Sequence, residues 1–470
     1  MKIRDYVISS ESKTLKTFRW FIFIVVYSTV LLVVYTSHTF LKKYGMLPLF
    51  LITFLLVFLP VDLKTLLMVV WALVPFQLSL SVTSTTNVWP VEVMGFPLYA
   101  FLLIRFVIEK QRYEFTGFEK LLFCFLMTAF IGVLRSPVKY TSMGALLGIL
   151  NGVLFFFMVS QFLNKEDVER FFYVFLLLGI MESIVLILQV TTGKFGFIPR
   201  IGRRGVVESL IKQELAEVRV PNGTFLHFNT AGSFIDVVYP FSLAFLYVSR
   251  RKVPFLVGFV IMLLGVISVH SRGTLMATLV SSTVFLTLIT QNFFFRMAFP
   301  IIVGFLAVSS AGILWKMGYS AAIMPNLIGR LILWSVGLSV FRKHPIIGSG
   351  LGSSIYYTNL VVNAPYKYHN VYITLLAERG LVGFILWFLI LWVYFKYMFY
   401  AYRKFKSKLN TYGSLYAISV GGICSFAGFL THGMVDHAYT NVLFKIWFYG
   451  FLAFAYIVYR IAREKEEVKR

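Results

Sequence analysis

The chain has 470 residues, of which 59% are hydrophobic, 18% aromatic and only 14% charged; its mean hydropathy is +0.80, whereas a soluble domain carries about 25% charged residues. This excludes a soluble enzyme on a single anchor, a disordered chain and a disulfide scaffold, since apolar runs recur throughout and Cys124 and Cys424 each lie inside one. The formal charge of +24, from 44 Lys+Arg against 20 Asp+Glu, implies anionic headgroups, an anionic substrate, or both.

A helical membrane span needs roughly 20 mostly apolar residues. In chain order the runs that qualify are 18–38, 45–60, 65–83, 92–108, 120–134, 143–163 and 171–192. A basic polar stretch, 193–228, follows. Four more runs come next, at 229–249, 253–270, 273–290 and 297–315, then a long polar stretch, 316–378, and last the runs 379–401, 412–432 and 442–461. Run 45–60 is the weakest, being short and ending at Pro60, and only Ser271-Arg272-Gly273 separates two of the others. The first run is too long for a cleavable signal and no small-residue cleavage site follows it. None shows the alternation of a membrane barrel strand. The expected fold is an all-α polytopic membrane protein with about fourteen (twelve to fourteen) transmembrane helices.

Five blocks result: N-terminal transmembrane helices in 1–192, a basic outer loop in 193–228, central helices in 229–315, a large helical extracytoplasmic loop in 316–378, and C-terminal helices in 379–470. Basic clusters at Lys2–Arg19, Arg250-Arg251-Lys252, Arg403–Lys408 and Arg460–Arg470 fall on one side when the span count is even. The positive-inside rule makes that side, and both termini, cytoplasmic; Lys42 and Lys43 are the exception. The two long stretches then face outward, and both are net basic. The first holds Arg203, Arg204 and Arg219 as candidate substrate contacts, and Val206, Val207, Leu210, Ile211, Leu215 and Val218 at the spacing of an amphipathic surface helix.

Several chemistries are missing. No Gly-rich loop ends in Gly-Lys-Ser/Thr, and the five aspartates include no Asp-x-Asp pair, so neither a nucleotide site nor a metal-dependent sugar-nucleotide site is expected. The driving force must come with the substrate, and neither cofactor nor metal is called for. Three outer positions carry usable groups: Arg272 in Ser271-Arg272-Gly273, Arg330 in Gly329-Arg330 with Trp334 four residues on, and His369 in Tyr368-His369-Asn370, ahead of Glu378-Arg379-Gly380. Between the last two lies His344-Pro345-Ile346-Ile347-Gly348-Ser349-Gly350. Guanidinium groups bind phosphate oxygens through two parallel hydrogen bonds. A neutral histidine can take a proton from a hydroxyl. A lipid-borne diphosphate leaves readily once its charge is stabilised. Two arginines and a histidine at one membrane face therefore suit glycosyl transfer from a lipid diphosphate.

Ser-Arg-Gly, then Gly-Arg with its Trp, then His-Pro-x-x-Gly-x-Gly, then His-Asn ahead of Glu-Arg-Gly, in this order from about Asn222 to Gly383, resembles the O-antigen ligase and polymerase superfamily. The resemblance implies a GT-C-like, metal-independent, inverting transferase in the bacterial cytoplasmic (inner) membrane. Its donor would be an undecaprenyl-diphosphate-linked glycan and its acceptor a saccharide or lipid-linked hydroxyl on the outer face. It implies that Arg272 and Arg330 bind the diphosphate and that His369 is the general base, with Trp334 packing the loop helix. His344 and Asn370 join Arg203, Arg204 and Arg219 as candidate substrate contacts. The span count leans toward a polymerase; ligation to lipid A core and transfer of oligosaccharide to protein are the alternatives.

Each position has a plainer reading. An arginine at a helix end often only reaches to headgroups, and His369 could simply cap a helix. His432, Asp436 and His437 have spacing compatible with metal ligands, although such a cluster is more often hydrogen-bonded structure. Glu182 and Asp236 lie inside apolar runs, where burial costs roughly 2.5–3.5 kcal/mol each. They supply the reading from a different class, a lipid-linked glycan flippase or transporter.

Overall fold

The computed structural model describes residues 63–75, 80–81, 87–88, 90–108, 112–193, 221–225, 227–290, 292, 320–437 and 442–467. The expected spans 18–38, 45–60 and 297–315, the amphipathic segment 206–218, and Arg203, Arg204 and Arg219 lie outside the described residues. Among those described there are thirteen helices: α1 (Leu63–Leu73), α2 (Pro90–Ile108), α3 (Glu119–Arg135), α4 (Lys139–Phe162), α5 (Lys165–Thr192), α6 (Phe228–Val248), α7 (Lys252–Ser268), α8 (Arg272–Ile289), α9 (Ser320–Lys343), α10 (Ser354–Val362), α11 (Val371–Lys406), α12 (Leu409–His432) and α13 (Val442–Glu467). Seven of them, α4, α5, α6, α8, α11, α12 and the greater part of α13, are long and apolar enough to cross a membrane. The chain is a multi-pass helical membrane protein. The run 65–83 is not one uninterrupted helix. Instead α1 stops ahead of Pro75, and Leu80–Ser81 pairs antiparallel with Asn87–Val88, as expected where proline disfavours helix in the residue before it.

Helix ends are set by local chemistry. Asn164 and Asp167 form a reciprocal capping box at the start of α5. Ser271 caps α8 by accepting from the Thr274 N–H, and its own hydroxyl donates to Asn229 Oδ1 at 3.0 Å. The Ser-Arg-Gly motif is thus a helix start tied to the start of α6. Turns 136–138, 269–271 and 433–437 and the segment 344–370 gather at one end of the bundle: Leu351 N–H donates to Gly132 O, Ser142 Oγ–H to Leu351 O, and Val371 N–H to Gly433 O.

The core is aromatic and centred on α13. Trp71 of α1 packs against Phe155, Phe171, Phe175, Trp447, Phe451 and Phe454. α13 presents buried residues on nearly every side along Phe444–Val458, the pattern of a helix inside a bundle rather than on its rim. Both in-span acids are satisfied. Glu182 accepts from Thr224 through its backbone N–H (3.0 Å) and its hydroxyl (2.7 Å), and Asp236 pairs with His432 at 2.5 Å and accepts from Thr278.

α11 is broken at Gly380, whose φ of 65° is left-handed. The N–H groups of Leu381 and Val382, freed by the break, donate to Pro345 O (2.8 Å) and Ile346 O (3.1 Å). Ser349 and Gly350 donate back to Ala377 O and Glu378 O. A Cβ on Gly380 would collide with the Ile346 carbonyl, and one on Gly348 (φ 73°) with the backbone of Glu378 and Arg379. The His-Pro-x-x-Gly-x-Gly and Glu-Arg-Gly motifs are therefore two halves of one backbone latch.

Candidate active site

His369 sits at the corner where the loop turns into α11, with φ of 49°. A non-glycine residue in this region is uncommon, and such backbone concentrates at functional sites. Asn370 fixes the corner: its Oδ1 accepts from Ile373 N–H at 3.0 Å and its Nδ2 donates to Met434 O at 2.8 Å. Asn370 is buried, and its side chain positions the histidine.

The turn after α12 delivers two partners. Asp436 Oδ1 lies 3.2 Å from His437 Nδ1 and 3.8 Å from His369 Nδ1. The two histidine Nδ1 atoms are 3.1 Å apart, with the rings edge to face. Asp436 is buried and its Oδ2 has no hydrogen-bond partner among the described residues. Burial alone would raise the Asp436 pKa, but the neighbouring His369, His437 and His432 prevail and hold it well below the usual carboxylate range. Burial, reinforced by Lys367, His369 and His227, pushes His437 well below the ordinary histidine value against the pull of Asp436.

Arg272 and Arg330 are related to this turn through His432. Arg272 is exposed at the first position of α8. The neighbouring Gly273 packs so closely on His432 that a Cβ would fall 2.9 Å from its Nε2. Arg330, half-buried on α9, is near enough to His432 for their charges to interact. α9 is placed by Val336 and Val340, which pack on Tyr368 and Ala377. The turn 432–437 thus links His432, and through it the arginine-bearing α8 and α9, to the residues around His369.

The structure regroups the residues singled out from sequence. Of the His432, Asp436 and His437 set, His432 turns away to Asp236, and His369 joins Asp436 and His437 instead. The ligand atoms of these last three lie within 4.8 Å of one another, so this set could hold a metal ion. His344 closes α9 through its backbone N–H to Val340 O, and no described contact joins its side chain to His369. The role of Asp436 beside His369 was missed in the sequence, where the aspartate read only as a metal-ligand candidate on a late turn.

Residues 257–388 match the family described as O-antigen ligase. That segment contains Arg272, Arg330 and His369, and its match supports the resemblance to the O-antigen ligase/polymerase superfamily. No curated protein matches the chain.

Proposed function

We propose that the chain is a membrane glycosyltransferase that moves a glycan from undecaprenyl diphosphate to an acceptor hydroxyl at the outer face of the bacterial inner membrane. The observation that carries this reading is the His369–Asp436–His437 cluster, linked by the turn 432–437 to the helices that bear Arg272 and Arg330. With its proton on Nδ1, His369 directs that N–H toward Asp436 and His437, leaving the Nε2 lone pair to accept the acceptor's hydroxyl proton. The oxygen attacks the anomeric carbon from the face opposite the diphosphate. The carbon–oxygen bond to the carrier then breaks, and undecaprenyl diphosphate departs with the electron pair and inversion at carbon. Arg272 and Arg330 stabilise the charge that develops on it. The contacts within the His-Asp-His cluster orient a base without a metal, and the transferase is read as metal-independent.

About fourteen spans, both termini in the cytoplasm and two net-basic outer segments favour a polymerase, with a second lipid-linked repeat as acceptor, over a ligase to lipid A core or a protein O-oligosaccharyltransferase. Glu182 and Asp236 have hydrogen-bonding partners in the helix packing among the described residues, which favours a structural role for them over the transporter reading. The test uses purified protein in nanodiscs with an undecaprenyl-diphosphate glycan. Native protein should release undecaprenyl diphosphate and build a ladder of longer glycans, and His369→Ala should release none while still binding donor. Normal turnover by His369→Ala would remove the general base from the scheme. Release only on adding lipid A core or a protein acceptor would move the assignment to the corresponding transferase.

A further inference from the structure

Two sets of cations lie on separate elements of this end of the bundle, and the scheme above uses one of them. Arg272 and Arg330 belong to α8 and α9. Between α3, α4, α10, α11 and α13 is a cavity of about 90 Å³, room for a single phosphate-sized or carboxylate-sized group rather than a whole sugar. Its wall includes three cations: Lys367, two residues ahead of His369, Arg379 at the break in α11, and Lys445 in the first turns of α13. Glu378 is the only acid among the lining residues, and its carboxylate already accepts from the backbone N–H groups of Gly352 (2.8 Å) and Ser354 (3.2 Å).

Lys445 is the telling residue. It is 4% exposed, and among the described residues its ammonium donates to one carbonyl, Ala145 O at 2.9 Å. An ammonium carries three donors; Glu378 and Glu92 act on it through their charge, but among the described residues its hydrogen bonding is to that carbonyl alone. Arg379, 3% exposed, stacks its guanidinium on Phe125 with 4.0 Å from carbon to ring centre, which holds its charge at the same wall. Burial lowers the Lys367 pKa, while Glu378 and Asp436 draw it back up. Lys367 thus lies within electrostatic reach of both the cavity acid and the His369 cluster.

We propose that this cavity is an oxyanion subsite for the acceptor, taking one phosphate or carboxylate group of the molecule whose hydroxyl His369 deprotonates. The inference rests on the transferase reading. Attack opposite the leaving group puts donor and acceptor on opposite sides of the forming bond. The arginines come from α8 and α9, whereas the cavity is walled by α3, α4, α10, α11 and α13, so the two sets of cations are built on different elements. The acceptor is therefore an anionic saccharide, charged through a diphosphate carrier or through an acidic sugar.

The experiment measures transfer by the full-length protein in nanodiscs to three acceptors: a neutral saccharide on undecaprenyl diphosphate, the same saccharide on an uncharged alkyl chain, and an alkyl glycoside in which a uronic acid supplies the charge. Lys445→Gln should raise the KM of a charged acceptor tenfold or more relative to the donor KM, and Lys445→Arg should restore most of it. A shift confined to the diphosphate acceptor assigns a phosphate, and one confined to the uronate assigns a carboxylate. An unchanged KM for all acceptors, or an equal rise for the uncharged one, overturns the subsite. Lys367→Gln gives the same readout if Lys445→Gln does not assemble. If native protein transfers to none of the three, the transferase reading fails separately, and calorimetric titration with inorganic pyrophosphate then tests the cavity alone. One site fewer in Lys445→Gln supports it; equal stoichiometry overturns it.

Discussion

At the scale of single residues, the site depends on how His369 is held. Its left-handed backbone, the Asn370 cap and the Asp436–His437 pair together fix one ring orientation. An aspartate that orients a histidine does so by selecting the tautomer, and its amide replacement keeps the shape while losing that selection. Asp436→Asn should therefore lower kcat by about 100-fold or more with little change in donor KM, read by release of undecaprenyl diphosphate. A kcat within twofold of native would make Asp436 a packing residue only. Arg330→Lys should also cut kcat/KM, since an ammonium cannot reproduce the planar fork on a diphosphate; full activity would mark Arg330 as a headgroup anchor. Arg272, Arg330 and His369 stood out in the sequence because their residue types, in that order, match the motifs that carry the family resemblance. Asp436 was not readable as their partner, because nothing local marks which turn the bundle folds back against the histidine.

At the scale of elements, the glycine motifs change meaning. His344 read as a candidate substrate contact, while the backbone of its motif, through Gly350, is committed to closing the break in α11. Gly380→Ala would force a side chain against the Ile346 carbonyl and into a left-handed conformation. The conformation alone costs about 1–2 kcal/mol, and the collision adds to it. The expected outcome is a lower melting temperature in detergent and loss of transfer together; an unchanged melting curve would show that the latch relaxes freely. Helix positions within the described spans followed from apolar run length, which reports burial in lipid or protein alike. The break at Gly380 did not, since the run continues through it and a lone glycine inside a helix pattern is ambiguous.

For the molecule as a whole, the proposed energetics need no metal: the donor carries the driving force, and the arginines supply the charge stabilisation. Transfer by purified protein should survive EDTA and gain nothing from added Zn²⁺ or Mg²⁺. The control is the His369–Asp436–His437 set, whose geometry could take a cation. Loss of activity on chelation and its return with one metal would recast His369 as a ligand. Hydropathy and charge foretold a multi-pass bundle, but periodicity cannot say which apolar helix becomes the centre, because lipid and protein interiors select the same residues.

That centre is α13, which carries Trp447 and Phe451 into the aromatic cluster around Trp71 and places Lys445 beside α4. During synthesis α1, α4 and α5 are made long before it. Until α13 emerges they must remain in the bilayer with their inward aromatic faces against lipid or one another, and the backbone carbonyl of Ala145 lacks its lysine. Assembly of the bundle is thus completed only after α13 has followed the helices it packs against, and an interruption between α12 and α13 would leave an inserted but hollow intermediate exposed to membrane proteases.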